Sequence, residues 1–327
     1  MPIFASRGRR IEYLRVSVTD RCNLRCAYCV PQGRLFLAAR EELLTDEEIV
    51  RVIGASARAG VRKVRLTGGE PLVRPGILEL VARVASIPEV EDLAMTTNAT
   101  LLSLYAGELK RAGLRRVNVS LDTLDPAAFR RLTGRQVAVE RVVEGILAAD
   151  RAGLHPIKLN TVVMRGVNEG ELGRLARFAL ERGWYIRFIE YMPIGADTRR
   201  WEEFYLPAEE IRSRLERELG ELEPGGEEGV SQGFRVSGYG GSIGIISPVS
   251  QHFCDRCNRL RLTADGRIRS CLLRGGEVDV RSLLRRGAGE EEIEEALRQA
   301  AGLKPDWHGV EAARDVARDR FMSQIGG

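Results

Sequence analysis

Histidine is scarce in this 327-residue chain: there are three, His155, His252 and His308, too few and too scattered for a histidine-rich metal site. Lysine is almost as rare, with only four of the 50 basic residues, at positions 63, 110, 158 and 304. No apolar run approaches the roughly 20 residues that a membrane-spanning helix needs. The opening "MPIFASRGRR" lacks the apolar block of a secretory signal, so the expected location is the cytoplasm. Cysteine is limited to six residues, and stable disulfides are uncommon in that compartment. A net charge of +4 neither demands nor excludes an anionic partner, and neither nucleic acid nor a membrane is expected as one.

What is there, over the first two thirds, is a repeated strand, loop and helix. Strands are predicted at 13–19, 61–67, 91–97, 114–120, 156–163 and 185–192, with helical periodicity between them, as in "TDEEIVRVIGASARAG" and "EGELGRLARFALERG". Gly60, Gly113, Gly153 and Gly183 stand where the helices should end. Strict alternation implies parallel strands joined by right-handed crossovers. Six such units make an α/β fold, an incomplete (β/α)6 TIM-like barrel.

In five of the six strands one parity is apolar and the other polar. Strand one sets Leu14, Val16 and Val18 against Arg15, Ser17 and Thr19. A closed eight-stranded barrel usually fills its lumen with Val, Ile and Leu. A polar lumen implies instead an open barrel around a polar ligand, and Arg15, Lys63, Arg65 and Lys158 point that ligand toward negative charge. The alternative is the solvent face of an open antiparallel sheet, against which the strand–helix rhythm argues. Past residue 200 a helix is predicted over "PAEEIRSRLEREL", then a surface connection, "EPGGEEGVSQG", then short strands and an acidic helix, "GEEEIEEALRQAAG". The chain divides in this reading into a partial barrel, 1–230, and a smaller α+β region, 231–327, on the barrel's open side.

The cysteines fall in two trios. "CNLRCAYC" places Cys22, Cys26 and Cys29 just after strand one, at the rim where such barrels carry their active sites. Zinc normally takes four ligands, and this loop offers no fourth Cys or His. Thiolates also hold iron–sulfur clusters, usually with one protein ligand per iron. Three cysteines on a four-iron cluster leave one iron open to a small molecule. "CDRCNRLRLTADGRIRSC" supplies Cys254, Cys257 and Cys271, again with no obvious fourth ligand. A structural zinc and a second open cluster both fit that spacing.

"CNLRCAYC" together with "LTGGEP" (66–71) after strand two resembles the radical S-adenosylmethionine (SAM) superfamily. The resemblance implies a [4Fe-4S] cluster on Cys22, Cys26 and Cys29 whose open iron is chelated by SAM, with Gly68, Gly69 and Glu70 at the SAM amine and Tyr28 over the adenine. End to end, the chain is similar to the GTP 3′,8-cyclase family, which opens molybdenum cofactor (molybdopterin) biosynthesis. Arg15, "RLTGGEPL", "MTTN", "VNVSLD", "KLN", "RFIEYM", "CDRCNRLR" with Cys271 and the terminal "GG" carry that similarity. It implies GTP contacts at Arg15, Lys63, Arg65, Thr96, Lys158, Arg259 and Arg261, and SAM contacts at Gly69, Ser120 and Met192. It implies a second [4Fe-4S] cluster on Cys254, Cys257 and Cys271, and catalytic roles for Arg259, Arg261, Gly326 and Gly327. The implied reaction removes hydrogen from C3′ of GTP and joins C3′ to C8, giving 3′,8-cyclo-7,8-dihydro-GTP. The implied partners are GTP, an external electron donor, a downstream cyclic pyranopterin monophosphate synthase and a second copy of the chain in a homodimer. Ala99 departs from the pattern, since the family commonly has glycine after TTN. Two other readings compete: a different two-cluster radical SAM enzyme that modifies a peptide, and a zinc-stabilised nucleic-acid binder. The second of these leaves GGEP and the strand–helix rhythm unexplained.

Overall fold

In a computed structural model, which describes residues 1–30, 37–194, 201–309 and 320–326, the predicted alternation sets the architecture. β1 (Tyr13–Ser17), α1 (Asp46–Arg58), β2 (Lys63–Thr67), α2 (Ile77–Ala85), β3 (Asp92–Thr97), α3 (Leu102–Arg111) and β4 (Arg116–Ser120) follow one another. Then come α4 (Pro126–Thr133), α5 (Val139–Arg151), β5 (Lys158–Val163), α6 (Leu172–Leu180) and β6 (Tyr185–Glu190). The helix starts have local causes. Thr45 accepts from the Glu48 amide while the Glu48 carboxylate accepts from the Thr45 amide, a reciprocal cap on α1. Asp125 caps α4 ahead of Pro126, whose missing N–H costs nothing in a first turn.

α7 (Trp201–Phe204) and α8 (Ala208–Leu219) lead to β7 (Glu223–Glu228), β8 (Ser231–Arg235), β9 (Ser242–Ile246), β10 (Arg259–Leu262), β11 (Arg267–Cys271) and β12 (Gly275–Asp279). Helices α9 (Arg281–Arg285), α10 (Glu290–Gly302) and α11 (Met322–Ile325) complete the described elements. None of these helices is long and apolar enough to cross a membrane.

The strands form one 12-stranded sheet in the order β12-β11-β10-β1-β2-β3-β4-β5-β6-β9-β8-β7. β1 to β6 are the expected parallel core. The C-terminal region reaches the open side by adding strands to both edges: β10 runs parallel to β1, and β9 parallel to β6. Antiparallel pairs extend each flank further. The stretch "EPGGEEGVSQG", expected as a surface connection, is instead the β7–β8 hairpin. Its Gly and Glu content gives no alternation to detect, and pairing with β8 supplies the order that propensity does not.

The apolar parity packs on the helices. Leu14, Val16, Val64 and Leu66 share one buried core with Ile49, Val52 and Ile53 of α1 and Leu80, Val81 and Val84 of α2. The polar parity lies in register on the opposite face: Arg261, Arg15 and Arg65 stand abreast across β10, β1 and β2. Thr96, Asn118 and Lys158 do the same across β3, β4 and β5. Side chains from β1 to β6 and from β10 and β11 line a single cavity, so the sheet is curled and the polar face is its inside. A small apolar cluster, Ile194, Leu273 and Ile325 with Met192 and Met322, joins the loops after β6 and β11 to α11.

Candidate active site

The two cysteine trios sit at opposite ends of the parallel strands. Cys22, Cys26 and Cys29 follow the C-terminal end of β1. Cys254 and Cys257 stand just before β10, which is parallel to β1, and Cys271 ends the antiparallel β11. All six line the same cavity, with a volume of roughly 300 Å³. A pocket for one small molecule typically measures about 300–1,000 Å³. All six thiols are free of disulfides. Among the described residues no three His, Cys, Asp or Glu side chains converge as a single metal ion requires. A cluster takes one protein ligand per iron, and thiolates are its usual donors, so the donor set of each trio is compatible with one.

The first loop is fastened to its neighbours. Asn98 Nδ2 donates to Asn23 Oδ1 at 2.8 Å and approaches Cys22 Sγ at 3.8 Å, and Asn23 Nδ2 donates to Thr100 Oγ1 at 2.8 Å. The Gly69 and Glu70 amides donate to the carbonyls of Thr19 and Arg21, at 2.7 and 2.8 Å. A Cβ on Gly69 would lie 2.2 Å from the Arg21 carbonyl oxygen, so the glycine is demanded by the chain's own backbone. Ala99 adopts φ 59°, the left-handed conformation that glycine holds more easily. The departure in sequence is therefore absorbed without a change of loop geometry to one that alanine prefers.

Glu70 is buried, and its carboxylate accepts from Thr97 Oγ1 at 2.6 Å, the Leu72 amide at 3.2 Å and the Asn98 amide at 2.7 Å. Burial outweighs these donors and pushes its pKa up to about 7. A carboxylate has about four lone-pair sites, so one remains for a ligand cation. Tyr28 Oη donates to Asp122 Oδ2 at 2.6 Å, and burial raises Asp122 to about 6. Burial also pushes the Cys22 thiol up to about 11 and raises Cys26 and Cys29 further. Metal binding would require these thiols to be deprotonated.

The lumen between the trios is crowded with buried cations. Burial, then Arg261, holds Arg15 well below the ordinary arginine range. Burial, then Arg65, lowers Arg187 to about 9, and burial, then Arg187, Arg116 and Arg65, lowers Lys158 to about 7. Arg261 falls to about 10 through burial and Arg259. Buried atoms there also lack hydrogen-bond partners among the described residues: Tyr13 Oη, Arg65 Nε, Thr96 Oγ1, Asn118 Nδ2, Asn160 Oδ1, and Arg187 Nε and Nη2. Each such group costs about 1–3 kcal/mol when left unsatisfied. An anionic ligand that also carries a hydrogen-bond donor would answer both the charge and the missing partners.

The second trio has a different charge environment. Burial raises Cys257, but Arg259 and Lys304 outweigh it and bring the thiol down to about 6. Arg261 donates to the Gly326 carbonyl at 2.6 Å, which seats the chain's tail inside the curl. Gly326 has φ 69°, and a Cβ there would lie 2.3 Å from Thr67 Oγ1. No other residue type fits that position unstrained.

Of the residues predicted from sequence, Arg15, Tyr28, Gly68, Gly69, Glu70, Thr96, Ser120, Met192, Arg259 and Arg261 line this cavity with the six cysteines. Arg65 and Lys158 are outside the cavity lining; they repel Arg187, which is outside it as well, on the same face of the sheet. Lys63 shares their parity but is exposed at the start of β2, outside the cavity lining. Gly327 lies outside the described residues. Sequence reasoning missed Arg187, because "YIRFIEYM" is apolar on both parities. It also missed Arg116, whose parity with Asn118 was the available signal. A third omission is Glu190, a fully buried carboxylate at the end of β6. It accepts from the amides of Ala208, Val249 and Ser250 at 2.8, 2.9 and 3.0 Å and from the Ser250 hydroxyl. It thereby holds the loop that leads to Cys254.

Comparison with known proteins adds independent findings. Residues 16–179 match the radical SAM superfamily, and residues 184–310 match the family described as Molybdenum Cofactor Synthesis C. The chain is 48% identical over 323 residues to GTP 3′,8-cyclase of Pelotomaculum thermopropionicum, covering 98% of each chain. It is 47% identical over 322 residues to the Moorella thermoacetica protein of that name, again covering 98% of each. With that of Geobacter sulfurreducens it shares 44% over 329 residues, covering 100% of each. Among solved structures, Streptococcus suis SuiB bound to S-adenosylmethionine matches with TM-score 0.62 at 16% identity, covering 91% of this chain and 67% of that one. That likeness concerns the fold.

Proposed function

The chain belongs to the GTP 3′,8-cyclase family of radical SAM enzymes, and on that premise we propose that its cavity converts GTP to (8S)-3′,8-cyclo-7,8-dihydroguanosine 5′-triphosphate, the first step of molybdenum cofactor biosynthesis. The observation that carries this reading is the set of mutually repelling cations on the inner face of the sheet: Arg15 and Arg261 in the cavity that both thiol trios line, with Arg65, Lys158 and Arg187 beside it. A triphosphate is the small ligand whose charge answers them.

The family works with SAM and a [4Fe-4S] cluster, and Cys22, Cys26 and Cys29 are the thiols that would hold the latter. When both are bound they supply the one-electron chemistry that removes a hydrogen atom from the ribose. Gly68, Gly69, Glu70, Tyr28, Ser120 and Met192 would orient SAM at that end. Cys254, Cys257 and Cys271 would hold a second [4Fe-4S] cluster at the other. Arg15, Lys63, Arg65, Thr96, Lys158, Arg259 and Arg261 would clamp GTP. Arg guanidinium forks suit phosphate oxygens and Lys acts as a point charge. The chain's task is geometric: C3′ must meet the hydrogen acceptor while neighbouring C–H groups do not. Arg259 and Arg261, with Gly326 and Gly327 of the tail, would shape the place where the new C3′–C8 bond forms. One hydrogen leaves C3′ for the adenosyl fragment of SAM, and one electron and one proton return, so the product is an isomer of GTP; with the electron that SAM cleavage would consume, an external donor must supply two electrons, one at a time. A downstream cyclic pyranopterin monophosphate synthase and a homodimer belong to the same proposal.

The test is anaerobic incubation with GTP, SAM and a low-potential reductant. Chromatography should separate an isomer of GTP in which carbon NMR finds C3′ bonded to C8. SAM cleavage with all GTP recovered unchanged would reject the assignment.

A further inference from the structure

Lys304 follows the end of α10 and turns inward, with 5% of its surface exposed. Its Nζ donates to the Arg259 carbonyl at 2.8 Å and to the Ser270 carbonyl at 2.9 Å. The first carbonyl lies two residues after Cys257, and the second immediately precedes Cys271. Two of its three donors are thus directed at the walls of the second trio. Lys304 is one of only four lysines in an arginine-rich chain.

The surrounding segments hold this lysine in place. Ser6 Oγ donates to Asp306 Oδ1 at 2.6 Å and lies 3.1 Å from the Lys304 carbonyl oxygen. Arg9 donates to the Pro305 carbonyl at 3.0 Å and also to the Cys254 carbonyl. His308 is buried, with Nε2 2.7 Å from the Pro248 oxygen. Residues 6–9 and 304–308, from opposite ends of the chain, therefore meet around Cys254. A buried cation is costly to maintain, and no contact of the first trio calls for one here. Its position against Cys257 and Cys271 has a direct electrostatic consequence. Adding an electron to a cluster adds negative charge, which an adjacent cation stabilises.

Resting on the two-cluster reading above, we propose that Lys304 is a positioning residue of the second cluster: it pins the backbone beside Cys257 and Cys271 and sets a buried positive charge against them that favours the reduced state.

The test uses the full chain with Cys22, Cys26 and Cys29 all changed to alanine, so that only the second trio can bind iron. In this parent the cluster is titrated anaerobically and followed by electron paramagnetic resonance. Lys304→Met should keep its iron yet be at least tenfold harder to reduce, a shift of about 59 mV for a one-electron couple. Lys304→Arg should titrate nearer the parent. A Lys304→Met protein that titrates with the parent overturns the proposal. If Lys304→Met loses its iron, a Lys304→Arg protein that keeps iron and titrates near the parent supports it, while loss in both leaves a packing strut and overturns the role of charge. A parent that takes up no iron rejects the two-cluster reading itself, before Lys304 is changed, and the proposal falls with it.

Discussion

Lys158 carries the lumen's electrostatics in a single titration. Burial first, then Arg187, Arg116 and Arg65, brings it down to about 7. Between there and its ordinary value of 10.5 the folded chain binds fewer protons than the unfolded one, so this residue makes stability rise with pH across that window. A bound triphosphate reverses the balance by favouring the charged form. Calorimetric titration of GTP at pH 8, in buffers of different ionisation enthalpy, should therefore show net proton uptake, and Lys158→Met should reduce it. Uptake equal in both proteins would remove Lys158 from the anion site. At this scale much was legible in the sequence, because a period of two assigns each strand residue to a face: Arg15, Arg65, Thr96 and Lys158 follow from alternation alone. Arg187 was hidden by apolar neighbours on both parities. The reason for Gly69 was hidden too, since contact with Arg21 depends on a turn that spacing does not describe.

The loops and strand ends place chemistry through a few hubs. Glu190 joins β6, the start of α8 and the loop at 248–250 through one buried carboxylate. Replacing an acceptor oxygen by an NH2 sets a donor against backbone amides. Glu190→Gln should therefore lower unfolding stability by about 2–4 kcal/mol, as expected when a buried, multiply bonded charge loses its acceptor role. Chemical denaturation measures this. Because the loop leads to Cys254, the same variant should lose iron from the second trio before the first. Stability within about 0.5 kcal/mol of the parent would show that the hub is dispensable. The six strand–helix units were legible because each helix has an apolar stripe, a cap or a terminal glycine. The β7–β8 hairpin was not, since Gly and Glu on an edge strand carry no signature of burial. Nor does "RFIEYM" reveal that its glutamate faces loops from two later segments.

Over the whole molecule, one curled sheet sets the two trios at opposite ends of a shared cavity. That arrangement depends on β9 and β10 flanking the six-stranded core, and on the tail returning to Arg261. Sequence spacing identified both trios, but their opposition comes from β10 running parallel to β1 while β11 runs back. Strand pairings between residues some 245 apart leave no local trace. The central claim is that each trio holds its own iron–sulfur cluster, so the decisive measurement is iron and acid-labile sulfide per chain in anaerobically purified protein. The expected result is about eight irons, falling to about four when Cys254, Cys257 and Cys271 are changed to alanine, and to about four when Cys22, Cys26 and Cys29 are changed instead. Zinc in place of iron at the second trio, or about four irons in the unaltered chain that all vanish with either trio, would contradict the account.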